Sequence, residues 1–147
     1  MGIDIDELAK RLETQVLEDA REVFSETVIE YAYNPRNMGE LRDANGVGKI
    51  MGTCGDTVQI QISVENERIS ESRFITDGCG TSIACGSMLT ETITGKTIED
   101  ALAITSDELL RSLGGLPEEY VHCSVLAVNV LREAIRDYRK LRSDKQT

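Results

Sequence analysis

The chain has no apolar run approaching the ~20 residues that a helical membrane span requires. It is also short of positive charge: 16 Lys and Arg stand against 26 Asp and Glu, for a net charge of −10. Such a surface repels phosphate backbones and anionic lipid, so no nucleic acid and no membrane are expected as partners. The first residues, Met1 to Glu7, lack the basic and apolar regions of an export signal, and their acidity argues against a transit peptide. A cytoplasmic location is therefore the expectation, where thiols stay reduced and serve metal binding or chemistry instead of structural bridges. The four cysteines form no C-x-x-C pair, which removes a zinc ribbon and a thioredoxin-type couple. Gly46-Val47-Gly48-Lys49 lacks the spacing and the terminal Ser or Thr of a P-loop, so no nucleotide site is expected.

What is present is the length of one domain, 147 residues, with 40% hydrophobic residues to build a core without disulfides. Up to residue 33 there is no Pro and no Gly after Gly2, and Leu8, Leu12, Val16, Ala20, Val23, Phe24 and Val28 recur at three- and four-residue steps. That spacing predicts one amphipathic helix or two in series, with the stripe packed against the rest of the chain. Pro35 opens a loop. Val58, Ile60, Ile62 and Val64 then alternate with polar residues, the mark of a strand with one buried and one wet face. Residues 47–51 read as a strand before it and 69–76 as one after it, joined by short turns, which implies an antiparallel meander.

The remainder reads as helical. Ala84, Cys85, Met88, Leu89 and Ile93 share one face of a helix that ends near Gly95. Thr97 with Asp100, and Thr105 with Glu108, have the spacing of helix caps, and Gly114-Gly115 stops the second short helix. Pro117, Glu118 and Glu119 suit the first turn of a last helix, whose stripe from Val121 to Tyr138 ends near residue 140. The predicted fold is α+β: a three-stranded antiparallel sheet with helices packed on one face, plus an N-terminal helical extension. The extension covers residues 1–23, the main domain 24–142, and a frayed tail 143–147.

Three cysteines sit at element boundaries. Cys54 lies in the Gly-flanked loop Gly52-Thr53-Cys54-Gly55-Asp56, Cys79 lies where a strand gives way to a helix, and Cys123 follows the single histidine, His122, at the start of the last helix. Flanking glycines let backbone approach a bound atom, and helix N-termini favour the thiolate, the form that ligates or attacks. The candidate set is Cys54, Asp56, Cys79, His122 and Cys123. Three thiolates plus one further ligand complete the four positions of a [2Fe–2S] cluster or of tetrahedral zinc, and a carboxylate from Asp56 would hold iron more loosely than sulfur does. Cys85, on an apolar helix face, reads as a small buried hydrophobe. Arg36 and Asn37 read as loop stabilisers. A thiol hydrolase built on Cys123 and His122 is the enzymatic alternative, but neighbouring helical residues point ~100° apart, which is awkward for direct proton transfer.

Four motifs in order, Asn34-Pro35-Arg36-Asn37, Gly52-Thr53-Cys54-Gly55-Asp56, Gly78-Cys79-Gly80 with Ser82-Ile83-Ala84, and His122-Cys123-Ser124 with Leu126-Ala127, resemble the iron–sulfur cluster assembly scaffolds of the IscU and NifU N-terminal type. The resemblance covers roughly residues 24–142. It implies a scaffold and carrier, not a turnover enzyme. It further implies a nascent cluster, taken as [2Fe–2S], on Cys54, Cys79 and Cys123, with Asp56 and His122 as neighbouring or exchangeable ligands and zinc in the cluster-free form. A cysteine desulfurase is the implied sulfur donor, with Cys123 as persulfide acceptor, and recipient apo-proteins take the finished cluster. A homodimer around one cluster stays open as an arrangement. Leu116-Pro117-Glu118-Glu119-Tyr120 replaces the Pro-Pro-Val-Lys type of segment that such scaffolds offer an Hsp70-type chaperone, which argues against that partner here. The alternative function is a zinc-bound sulfur acceptor for a desulfurase. The Cys79 to Cys123 step lacks the insertion of that branch and so favours the scaffold.

Overall fold

The computed structural model describes residues 4–53 and 55–145. Its elements follow in the order α1 (Ile5–Val23), α2 (Glu26–Tyr33), β1 (Gly46–Met51), β2 (Thr57–Glu65), β3 (Arg68–Thr76), α3 (Gly80–Ile93), α4 (Ile98–Leu102), α5 (Ser106–Ser112), a 3-10 turn (Glu118–Tyr120) and α6 (Val121–Lys145). The sheet is the expected meander, β1-β2-β3, antiparallel throughout. No helix among the described residues is long and apolar enough to cross a membrane.

Val58, Ile60, Ile62 and Val64 of β2 all point into the core, as their alternation requires. The weaker alternation of β3 has a local cause. The register shifts between Ser63 and Val64, where Glu71 and Ile69 are the partners, so Ser70 is an extra residue and the inward phase jumps from Ile69 to Ser72 and Phe74. Asn66 and Glu67 make the β2–β3 turn with positive φ at both positions, which matches the strand twist. The outer face of β2 is drier than alternation implies. The 37–45 loop folds over it, and the Leu41 N–H donates to Gln61 Oε1 at 2.6 Å, leaving Gln61 buried. The same loop closes the β3 edge, because Phe74 exchanges backbone hydrogen bonds with Asn37 and Gly39.

Helix α6 crosses β1 at backbone contact distance. A Cβ on Gly48 would lie 2.3 Å from the Val130 carbonyl oxygen, so the glycine is what lets Val130, Leu131 and Ala134 settle on the sheet without any exposure. Helix α3 lies in the middle, packed by α2, β3 and α6. Thr97 and Thr105 cap their helices as expected, accepting from the N–H groups of Asp100 and Glu108 at 3.1 and 3.2 Å.

Three expectations need correction. Glu118 and Glu119 are not the first turn of the last helix. They belong to a separate 3-10 turn, closed by the Tyr120 N–H on the Pro117 carbonyl and held by the Tyr120 ring against Phe24, 5.5 Å between centroids. The last helix runs to Lys145 rather than ending near residue 140, so 143–145 of the expected tail are helical, while 146–147 lie outside the described residues. The N-terminal stripe packs only at its end: Val28 is buried and Phe24 rests against the core, but α1, capped by Asp4 and separated from α2 by Ser25, has no buried residue.

Candidate functional site

The site lies where the N-terminal end of α3 meets the first turn of α6, beside the loop that joins β1 to β2. Strand β3 ends at Thr76, and Asp77 Oδ1 accepts from the Thr57 N–H at 2.7 Å, tying the approach to Cys79 to the start of β2. Cys79 is the N-cap of α3 and is exposed. Partial burial opposes ionisation of its thiol, but the Ser82 N–H, followed by the Thr81 hydroxyl and N–H, outweighs that cost. Even with the Asp56 carboxylate nearby, the thiol titrates below its ordinary 9.0. The Cys79 thiol is thus one that solvent can reach and that ionises more readily than an ordinary cysteine.

Asp56 comes to the same place from the other side. The position that a Cβ on Gly78 would occupy is 2.9 Å from Asp56 Oδ2 and 2.6 Å from Ser82 Oγ, so the missing side chain is the space into which both groups converge. The loop carrying Asp56 is closed by the Gly52 N–H on the Asp56 carbonyl at 2.8 Å, with Gly55 at φ +91° supplying the turn. Cys54 lies outside the described residues, so its expected place in the set stays a matter of sequence. Among the described residues, no three Cys, His, Asp or Glu side chains stand close enough together to ligate one ion.

Cys123 differs from its expected setting. Its polar neighbours in the chain, His122 and Ser124, suggest polar surroundings, but it is only 3% exposed and packed into the core cluster. Its sulfur faces Ser82 Oγ at 3.7 Å and His122 Nε2 at 3.7 Å, among other contacts. The ~100° between successive helical residues makes direct proton transfer awkward, yet the exposed imidazole folds back toward this thiol, because that angle fixes the Cβ directions and leaves the ring free to turn. Cys85 behaves as expected. Burial, then the neighbouring Cys123 and Cys79, push its thiol far above the ordinary value, so it stays protonated and inert.

Arg36 and Asn37 are loop stabilisers, as their sequence setting suggested. The Arg36 N–H donates to Ser87 Oγ at 3.1 Å while its guanidinium pairs with Glu30 and covers the Tyr31 ring, and the Asn37 amide donates to Thr90 and Glu91. Sequence reasoning gave no role to two features of the site. One is the hydroxyl pair Thr81 and Ser82, both buried: the first favours ionisation of Cys79 and the second donates to Cys123 Sγ. The other is a pocket of about 240 Å³ beside Cys79, lined by Phe24, Ala32, Tyr33 and Tyr120. The Thr-Ser pair had a signal in the sequence, since Ser82 stands three residues after Cys79 and so shares its helix face. The pocket had none, because it joins residues far apart in the chain.

The family described as "NifU-like N terminal domain" matches residues 23–145. The chain is 48% identical over 117 residues to "Iron-sulfur cluster assembly scaffold protein IscU 1" of Archaeoglobus fulgidus, covering 79% of this chain and 76% of that one. It is 45% identical over 118 residues to the IscU scaffold protein of Aquifex aeolicus, covering 78% and 75%. In fold it is similar to the N-terminal part of a NifU-like protein from Brucella abortus, with a TM-score of 0.63 at 19% identity, over 79% of this chain and 94% of that one.

Proposed function

Because the chain belongs to the family of NifU-like N-terminal domains, we propose that it is a scaffold on which an iron–sulfur cluster is assembled and from which the cluster passes to recipient apo-proteins. The observation that carries this reading is the meeting of Asp56, Cys79, Ser82 and Cys123 at one corner of the fold, with the solvent-reachable thiol held toward thiolate. Soft sulfur donors beside one hard carboxylate suit an iron site that has to release what it holds. The donor set we assign is Cys54, Cys79 and Cys123, with Asp56 or His122 as the exchangeable fourth partner, and the cargo is a [2Fe–2S] cluster.

Sulfur reaches the scaffold as a persulfide from a cysteine desulfurase, and Cys123 is the proposed acceptor. Its burial sets a condition on that step, because the donor meets this sulfur only when the contact between the first turns of α3 and α6 opens. The scaffold itself turns over no substrate. Its part is to hold thiolates, orient them, and leave one weak bond at Asp56.

Anaerobic reconstitution with iron and sulfide tests the reading. A visible charge-transfer spectrum is expected from the unaltered protein and from Cys85→Ser, and its loss from Cys54→Ser, Cys79→Ser and Cys123→Ser, each taken alone. Asp56→Ala should form the chromophore and keep it longer in the presence of a chelator. Stoichiometric colourless zinc without iron uptake would instead identify a sulfur acceptor, and metal-independent turnover would identify a thiol hydrolase.

A further inference from the structure

Helix α3 and its C-cap carry several hydroxyls, and those in the last turns do what helical hydroxyls ordinarily do. Thr90 Oγ1 donates to the Gly86 carbonyl at 2.7 Å, Thr92 to that of Met88 at 2.7 Å, and Thr94 to that of Thr90 at 2.8 Å, each one turn back along the helix. On α6 the hydroxyl next to Cys123, that of Ser124, likewise donates to a backbone carbonyl, that of Val121, at 2.6 Å. Two hydroxyls depart from this pattern: that of Ser87 donates to the Tyr31 carbonyl of α2 at 3.2 Å, and that of Ser82 reaches a sulfur. The Ser82 hydroxyl leaves its own helix and donates across to Cys123 Sγ, 3.7 Å away and 41 residues on in the chain. Both partners are 3% exposed, so no water competes for the bond.

We propose that Ser82 is a positioning residue of this site: its buried hydroxyl holds the Cys123 sulfur at the junction of α3 and α6, on the side that faces Asp56 and Gly78. The proposal rests on the scaffold reading for its purpose, since a sulfur that ligates or carries a persulfide has to be aimed, but the bond itself belongs to the cluster-free chain. Three features favour a positioning role over simple packing. A serine three residues past Cys79 shares the face on which Cys79 presents its thiol, so one helical turn sets both sulfurs at once. The hydroxyl and the Asp56 carboxylate crowd the same point above Gly78, where any side chain would push Ser82 out of reach of Cys123. The preceding hydroxyl, that of Thr81, is among the groups that favour ionisation of Cys79, so adjacent residues act on one sulfur each. A hydrogen bond to a ligating sulfur also draws electron density from it, which raises the reduction potential of a cluster that it holds.

The test compares Ser82→Thr with Ser82→Val, two side chains of one shape of which only the first keeps the hydroxyl. In the cluster-free protein, three-bond couplings of labelled Cys123 should report one χ1 rotamer in the unaltered chain and in Ser82→Thr, and averaging between rotamers in Ser82→Val. After reconstitution, Ser82→Val should show a more negative midpoint potential and release iron to a chelator about three- to tenfold faster, the scale expected for one lost hydrogen bond, with Ser82→Thr close to the unaltered protein. Equal rotamer populations in the two variants would overturn the proposal whatever the cluster does. If no variant and not the unaltered chain takes up a cluster while the rotamer difference is present, the scaffold reading fails and the positioning bond stands. Should the added methyl group unfold both variants, Ser82→Ala, which adds no bulk, gives the same two readouts with the same expected directions as Ser82→Val.

Discussion

Helices α1 and α6 are the two longest of the chain, both amphipathic by periodicity, and the fold treats them in opposite ways. In α6, Val130, Leu131 and Ala134 have no exposed surface, and the helix rests on β1 so closely that Gly48 has no room for a Cβ. In α1, Ile5 is 79% exposed, Leu12 58% and Val16 56%, and nothing along the helix is buried. Periodicity reports that a stripe exists. What covers it depends on a complementary surface elsewhere, and β1, with two glycines facing α6, is such a surface, whereas α2 offers α1 only the open groove floored by Leu12, Val16, Ile29 and Tyr33. The match to the NifU-like family begins at residue 23, where α1 ends, so the family core and the packed core share a boundary.

The largest effect expected from this contrast is in the packed helix. Leu131→Ala should cost about 2–5 kcal/mol, because the surrounding β1, β2 and α3 side chains cannot collapse fully into the hole. Urea unfolding measures it through the midpoint at constant slope. A cost under about 1 kcal/mol would mean that α6 is held far more loosely than its burial implies.

Much of this architecture could be read from the chain, and the misses have physical causes. Alternation in β2 was legible since its inward residues are apolar without exception, while β3 was blurred by the extra residue at Ser70, which shifts the phase by one. Thr97 and Thr105 announced their helices because a cap is a local bond, whereas the 3-10 turn at Glu118 depends on Tyr120 meeting Phe24, 96 positions earlier in the chain. Cys79 and Asp56 were legible from flanking glycines and spacing. The depth of Cys123 was not, since His122 and Ser124 beside it are polar and gave the segment the look of a surface. Its bond to Ser82 crosses between helices, and no local pattern encodes such a pair.

A smaller effect separates two cysteines of α3 by pH. In the unfolded chain Cys85 ionises at its ordinary 9.0, and in the folded chain burial holds it protonated well beyond that. The folded state then binds the extra proton, so its stability is full below pH 9 and falls as the pH rises past 9, by about 1.4 kcal/mol per unit. Cys79 has the opposite sign: its lowered folded value adds stability that is present above 9 and lost as the pH falls through that value. Subtracting the pH profile of Cys85→Ala from that of the unaltered protein isolates the first slope. A flat difference above pH 9 would show that the Cys85 thiol reaches solvent in the native state.

The smallest effect is expected at the other end of the contrast, and it is the one that tests what α1 is for. Removing residues 1–23 takes away no buried side chain and leaves Phe24 in place against Tyr120 and Ser25 in place as the cap of α2, where its hydroxyl accepts from the Val28 N–H at 3.1 Å. The apolar surface that the cut exposes is the floor of the α1–α2 groove, lined by Ile29 and by Tyr33, which is already open. The shortened chain should therefore unfold within about 0.5 kcal/mol of the full one, and Leu12→Ala in the full chain should fall in the same range. Thermal and urea unfolding of the two lengths side by side decides it. A loss of about 1 kcal/mol or more would mean that the stripe of α1 closes onto α2 in solution, and the two long helices would then differ in degree and not in kind.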